Sequence, residues 1–303
     1  MTSQLTGLGH DALVTGTEEY LASLAAERGL STNTLRAYRN DLKQYLDFLD
    51  RRTASTSLIE AFVKSLTTTG LAAPSVARKL AAVRGLHRFL VAEGMAPNDP
   101  TQTVARPRLP ASLPKALKVE QAIALVEAPD LATLKGRRDS ALLEFLYGTG
   151  ARVSEAVGLD LSNLDLHDRT ALLTGKGNRQ RLVPLGTAAC VALERWLPDR
   201  LRLARSGRDD RAIFLSLRGR RLSRQGIFDI VRHHAARVGI PADQVSPHVL
   251  RHSAATHMVE GGADLRAVQE LLGHATISTT QVYTRMTVQH LVEVYVQAHP
   301  RSK

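Results

Sequence analysis

The sequence predicts a mainly α-helical α+β protein in two domains, the second carrying a small antiparallel β-sheet. Three observations predict it. Apolar residues recur at helical spacing through residues 1–105, four prolines crowd the seventeen residues from Asn98 to Pro114, and two brief apolar runs flank Gly175-Lys176-Gly177. A chain of 303 residues with 44% hydrophobic content can bury two cores of ordinary domain size.

The first domain, residues 1–105, reads as four helices. A weak pattern surrounds Tyr20 to Ala25. Leu35, Tyr38, Leu42, Tyr45, Leu46 and Leu49 follow the cap candidates Ser31 and Thr32. Leu58, Ile59, Phe62, Val63 and Leu66 follow an apparent capping box, Ser57-x-x-Glu60. The fourth helix opens at Pro74-Ser75 and sets Val76, Leu80, Val83, His87 and Leu90 on one face. Lys79, Arg84 and Arg88 lie off that face, while Ala77, Ala81 and Gly85 form a stripe of small residues. A solvated charged face with a tight helix contact accounts for this pattern, and so does a basic face laid on DNA.

Residues 106–117 are an extended basic linker, because proline lacks an amide proton and restricts the residue before it. In the second domain, residues 118–303, Ala171 to Thr174 and Arg181 to Leu185 predict a hairpin, and Ile213 to Leu215 a further short strand. Helices are expected at Val153 to Leu159 and at about 222–238, 246–260, 264–272, 276–286 and 288–298.

The formal net charge of +11 points to a polyanion, nucleic acid first and an anionic membrane surface second. No uninterrupted apolar run of about 18 residues exists, and the first residues lack a signal peptide's basic start and apolar stretch, so the expected place is the cytoplasm. Cys190, the single cysteine, sits in an apolar helical pattern and reads as a small core residue. Disulfides and thiolate metal sites are excluded.

Ser246-Pro247 makes a good helix start, which sets His248 and Arg251 on one face beside free amide protons. That is a seat for a phosphate, since an arginine fork can hold two of its oxygens; a capping histidine and a carboxylate-paired arginine would give the same pattern. His248 and His252 have zinc spacing, but Arg251 between them and the lack of an intervening carboxylate disfavour a metal, and no cofactor is expected. Arg152 opens a helix, where a cation is disfavoured unless an anion is near. Glu155 could be that anion, or a bound phosphate could be, with Glu155 steering the guanidinium. Lys176 lies between glycines, yet Thr170 and Gly177 break the Walker pattern, which points away from ATP. Gly273 reads as a helix C-cap and Thr276 or Ser278 as the next N-cap, with His274 in the turn and Tyr283 on the new helix.

Taken in order, Tyr147-Gly148-Thr149-Gly150-Ala151-Arg152-Val153-Ser154-Glu155, Thr174-Gly175-Lys176-Gly177, His248-Val249-Leu250-Arg251-His252-Ser253, Leu271-Leu272-Gly273-His274 and Ser278-Thr279-Thr280-Gln281-Val282-Tyr283-Thr284 resemble the tyrosine recombinases of the phage-integrase superfamily. Within it the chain is similar to the chromosomal Xer recombinases, and its tail from Gln289 to Arg301 resembles XerC more than XerD, although Gly262 to Arg266 also suits XerD. The resemblance spans nearly the whole chain. It implies a two-domain DNA clamp with a SAM-like helical DNA-binding domain and a catalytic domain.

It also implies Tyr283 as nucleophile, Arg152 and Arg251 as phosphate clamp, Lys176 as general acid, and His248 and His274 as aids to proton transfer and phosphate contact. Glu155 and His252 would stand behind them, and Lys79, Arg84 and Arg88 would face DNA. The implied reaction proceeds through a 3′-phosphotyrosyl link and a Holliday junction without metal or ATP, resolving chromosome dimers at a dif-like site. The implied partners are double-stranded DNA, a homo-tetramer or a hetero-tetramer with a paralogous recombinase, and a septal DNA translocase; no membrane is implied. The last helix would dock on a neighbouring subunit, the alternative being a helix packed on its own domain. Competing functions are a mobile-element integrase, disfavoured by the absence of an arm-binding domain, a non-catalytic DNA-binding regulator, and a relaxing topoisomerase.

Overall fold

The computed structural model describes residues 10–26, 30, 32–107, 116–206, 211–273 and 285–302; for Ala26, Lys176, Arg205, Ser206 and residues 285–291 it describes the backbone only. The chain divides into two compact units, Met1–Ser112 and Leu113–Lys303.

The first unit is built of α1 (His10–Ala26), α2 (Thr32–Leu49), α3 (Thr56–Thr68) and α4 (Ala73–Ala92). Their apolar stripes meet in one core, where Leu42, Tyr45, Phe62, Leu80, Val83, Leu86 and Leu90 are all buried. His87, on the apolar face of α4, is a satisfied core residue: the Tyr45 hydroxyl lies 2.9 Å from its Nε2. Burial, partly offset by Asp99, lowers its pKa to about 4, so it stays neutral. The helix α3 starts two residues before the expected capping box. Its cap is Ser55, whose Oγ accepts from Leu58 N at 3.3 Å, so Ser57 lies inside the helix. In the small-residue stripe of α4, Gly85 leaves room for the Tyr20 ring of α1.

The second unit holds α5 (Val119–Glu127), α6 (Leu134–Thr149), α7 (Val153–Gly158), α8 (Thr187–Ser206), α9 (Arg224–Arg237), α10 (Pro247–Glu260), α11 (Leu265–Leu272) and α12 (Arg285–Ala298). Its sheet has the order β1-β2-β3, with β1 Leu164–Asp165, β2 Thr170–Thr174 and β3 Gln180–Pro184. The β2–β3 hairpin is antiparallel with Ala171 opposite Val183 and Leu173 opposite Arg181. Residues 213–215 do not form the expected strand. They are buried against the core and form isolated bridges, Asp160 with Ala212 and Leu215 with Arg221, while Trp196 Nε1 donates to the Ile213 carbonyl at 2.8 Å.

Sequence periodicity did not reveal α6, because residues 141–149 are buried without interruption and leave no amphipathic stripe. This central helix packs against α5, α8 and α10. The core around it includes Leu142, Phe145, Trp196 and Phe214, and Cys190 is buried there as expected. Ser246 Oγ accepts from Val249 N at 3.2 Å, capping α10 with Pro247 at its first position.

In this single chain the last helix, α12, packs on its own unit, against α10, α11 and β3. Tyr295 and Ala298 share a core with Met258, Val268, Leu271 and Leu272. Beyond the helix, Arg301 pairs with the buried Glu144 and, at 2.6 Å, with Glu127. No helix among the described residues is long and apolar enough to cross a membrane.

Replacing Ser246 by Ala removes a cap that holds the helix carrying His248 and Arg251. We expect a loss of about 1 kcal/mol, largely restored by Asp. Urea unfolding followed by fluorescence of Trp196, the single tryptophan, measures it.

Candidate active site

The site assembles where α6 ends. Gly150 closes that helix in the left-handed region, φ 59° and ψ 26°, and a Cβ there would also meet Leu272 at 2.5 Å. The chain turns, and Arg152 becomes the N-cap of α7. Its backbone N–H donates to Glu155 Oε2 at 2.7 Å, its Nη1 donates to Glu155 Oε1 at 2.9 Å and its Nη2 to the Gly273 carbonyl at 3.1 Å. Glu155 is therefore the anion that balances a cation at this helix start.

Glu155 is itself held by a second residue that the sequence reading did not single out. Arg181 on β3 grips the carboxylate with both terminal nitrogens, at 2.6 and 2.8 Å, and both side chains are buried. A signal existed: strand alternation turns Arg181 inward with Val183, and a buried charge needs a buried partner. Burial alone would raise the Glu155 pKa. The hydrogen bonds and charge of Arg181, with those of Arg152, outweigh burial and hold it below the usual carboxylate range.

Arg251 reaches the same place from α10, donating to the Gly150 carbonyl at 2.6 Å and to the Leu272 carbonyl at 2.5 Å. Burial and the repulsion of Arg152 and Arg181, countered in part by Glu155, lower its pKa to about 10, and it remains a cation at neutral pH. Since Arg181 Nε donates to the Leu271 carbonyl at 2.9 Å, three guanidinium groups donate to the carbonyls of the last two residues of α11 and of its C-cap, Gly273. Those carbonyls carry the negative end of the helix dipole. Gly273 then turns the chain in the left-handed region, φ 67°, with Arg181 packed against it.

His248 lies exposed on α10, its ring edge-on to Phe228. Partial burial, then the charges of Arg224, Arg251 and Arg152, lower its pKa, so it is neutral where an ordinary histidine would begin to charge. His252 is exposed. The loop carrying Lys176 starts against the cluster, because a Cβ on Gly175 would meet Glu155 Oε1 at 3.3 Å. Thus Arg152, Glu155 and Arg251 are brought together, and the backbone of the Lys176 loop lies beside them. The Lys176 side chain, His274, Tyr283 and residues 276–284 of the expected helix at 276–286 lie outside the described residues, while Arg285 and Met286 belong to α12.

In the first unit, Lys79 donates to the buried Asp41 at 2.8 Å, a carboxylate it shares with Arg78. Arg84 donates to the Val104 carbonyl, and Arg88 is exposed, its Nε 3.3 Å from the Arg84 carbonyl. Lys79 is thus committed within its own unit, whereas Arg88 is open to solvent.

Fold and cluster together define a mainly helical protein whose second unit gathers the guanidinium groups of Arg152, Arg181 and Arg251 around Glu155 and the end of α11. Residues 115–290 match the phage integrase family, and residues 17–94 its N-terminal SAM-like domain. The tyrosine recombinase XerD of Mycobacterium tuberculosis is 48% identical over 94% of this chain and 97% of its own. That of Mycobacterium leprae is 46% identical over 96% and 99%. Among solved structures, XerH recombinase in a post-cleavage complex with a palindromic difH substrate matches with a TM-score of 0.68 and 22% identity, covering 98% of this chain and 90% of that one. This chain belongs to the phage integrase family of tyrosine recombinases and is of the Xer type. These relatives bear the name XerD, so the lean toward XerC read from the tail is not supported.

Because folding lowers the Glu155 pKa from its ordinary 4.5, the ionised carboxylate contributes stability that is complete above that value and lost as pH falls through the folded pKa. Unfolding free energy should therefore decline more steeply with acid in wild type than in Glu155→Gln. Parallel acid limbs in urea titrations would refute this.

Proposed function

We propose that this recombinase cuts and rejoins DNA at a specific site, with Tyr283 as nucleophile, and that its cationic cluster is the seat of the scissile phosphate. The observation that carries the reading is the convergence of Arg152, Arg251 and the His248 helix on the end of α11, the helix from which the chain continues into His274 and Tyr283. Arg152 and Arg251 each retain guanidinium donors beyond the two bonds described for each, and the Arg152 side chain is 36% exposed.

A phenol titrates near 10 in water, so attack requires a proton acceptor and a cationic pocket. Neutral His248 takes the Tyr283 proton. Charge developing on the non-bridging oxygens meets Arg152, Arg251 and His274, each contact worth roughly 3 kcal/mol by analogy with oxyanion-hole deletions. Lys176 protonates the departing 5′ oxygen. The 3′-phosphotyrosyl link keeps the energy of the bond, so a second strand's 5′ hydroxyl can reverse the step without ATP, and no metal is required.

The first domain, 1–105, holds the duplex with the catalytic domain, 118–303, and the basic linker joins them; Arg88 is the best placed of the three α4 cations to meet a phosphate. Four protomers, alone or with a paralogue, exchange strands through a Holliday junction in the cytoplasm and resolve chromosome dimers at a dif-like site, with a septal translocase bringing the sites together. The XerD relatives and the net charge of +11 support this role.

A nicked suicide duplex carrying a dif-like site should trap wild type covalently, with or without EDTA, and fail to trap Tyr283→Phe. Adduct with the Phe variant, or its loss in EDTA, overturns the mechanism. Arg251→Ala should cleave about 100-fold more slowly. The acid limb of the cleavage rate should lie below 6.5, the ordinary histidine value, and vanish in His248→Gln.

A further inference from the structure

Within the cluster, Glu155 presents an electrostatic difficulty. A carboxylate is well suited to aim the Arg152 guanidinium, since it holds both the backbone N–H and Nη1 of that residue. Its charge, however, would cancel the cation it aims. An Arg152–Glu155 pair alone is neutral and attracts a phosphate weakly. Arg181 resolves this: its fork takes both oxygens of Glu155, so a second, buried cation balances the carboxylate's charge. Three guanidinium groups against one carboxylate leave a surplus of two positive charges for a substrate.

Arg181 does a second thing from the same position. Its Nε holds the Leu271 carbonyl, and its Cδ lies 3.1 Å from where a Gly273 Cβ would stand. One side chain therefore sets both the direction of Arg152 and the end of α11, two residues before His274.

We propose that Arg181 is a positioning residue for strand cleavage, acting through Glu155 on the Arg152 guanidinium and through the α11 C-cap on the segment that follows. It touches neither substrate nor reacting atoms. The proposal rests on the reading of the cluster as the scissile-phosphate seat.

Arg181→Lys and Arg181→Gln separate charge from geometry, because an ammonium restores the charge but cannot grip both oxygens. Each variant is assayed in single-turnover cleavage of the nicked dif-like duplex, with a normal phosphate and with a neutral methylphosphonate at the cleaved position. On phosphate we expect Arg181→Lys to be slowed by about 10-fold and Arg181→Gln by about 100-fold, the scale of a misaimed group, with duplex affinity little changed. On methylphosphonate, where less charge must be met, the deficit relative to wild type should shrink markedly. A role confined to general folding would leave the deficit equal on both substrates.

An equal deficit, or no deficit, overturns the proposal while wild-type adduct leaves the functional reading standing. Absence of adduct from wild type overturns both. Should circular dichroism find Arg181→Gln unfolded, Arg181→Lys, which keeps a cation beside Glu155, decides the matter on the same two substrates.

Discussion

A buried carboxylate gripped by two arginines from different elements is the constraint on which this site is built. Glu155 on α7 is met by Arg152 from its own helix start and by Arg181 from β3. Burying these charges is costly, and the attraction among them compensates only if each is well paired. Removing one partner of such a group costs roughly 3–5 kcal/mol, because the charge left behind has lost its solvent. The arrangement is thus poor as a means of stabilising the fold and good as a means of specifying one geometry. Helix start and strand are locked together at the point where the β2–β3 loop, with Lys176, comes alongside.

The same cations organise the next element. A helix of only eight residues, α11, ends on Arg181, Arg251 and Arg152, which donate to the carbonyls of Leu271, Leu272 and Gly273. Each favourable charge at a helix C-terminus contributes about 0.3–1 kcal/mol, more when partly buried. On the proposed reading, Arg152 and Arg251 serve both a bound phosphate and the end of α11, whereas Arg181 serves the helix end and Glu155 alone. On the other side of α11, the core of Tyr295, Val268 and Leu272 seats α12 on the same unit, and the Arg301 pairing with Glu144 ties the chain end to the central helix α6.

Much of this was legible in the sequence for local reasons. The Ser246 cap, the Gly273 helix end and the hairpin depend on one residue's side chain or backbone freedom, and each forms where its residues stand. Misreadings came where a local signal had competitors: Ser55 and Ser57 both could cap α3, and Ser55 satisfies the free amide of Leu58. Helix α6 was invisible because burial on every side erases periodicity. Lys79 read as a free cation because its partner, Asp41, lies on another helix.

By itself the sequence determined the family, since its ordered motifs from Arg152 to Tyr283 resemble the tyrosine recombinases to which the chain belongs, and it determined those helices whose apolar stripes or caps are local. Only the tertiary structure decided which charges meet. Arg181 and Glu155 are 26 residues apart and Arg181 and Leu271 are 90 apart, and their pairing depends on β3, α7 and α11 packing around one core. Side-chain spacing along a strand or helix can say that a buried charge needs a partner; it cannot say from which distant element that partner comes.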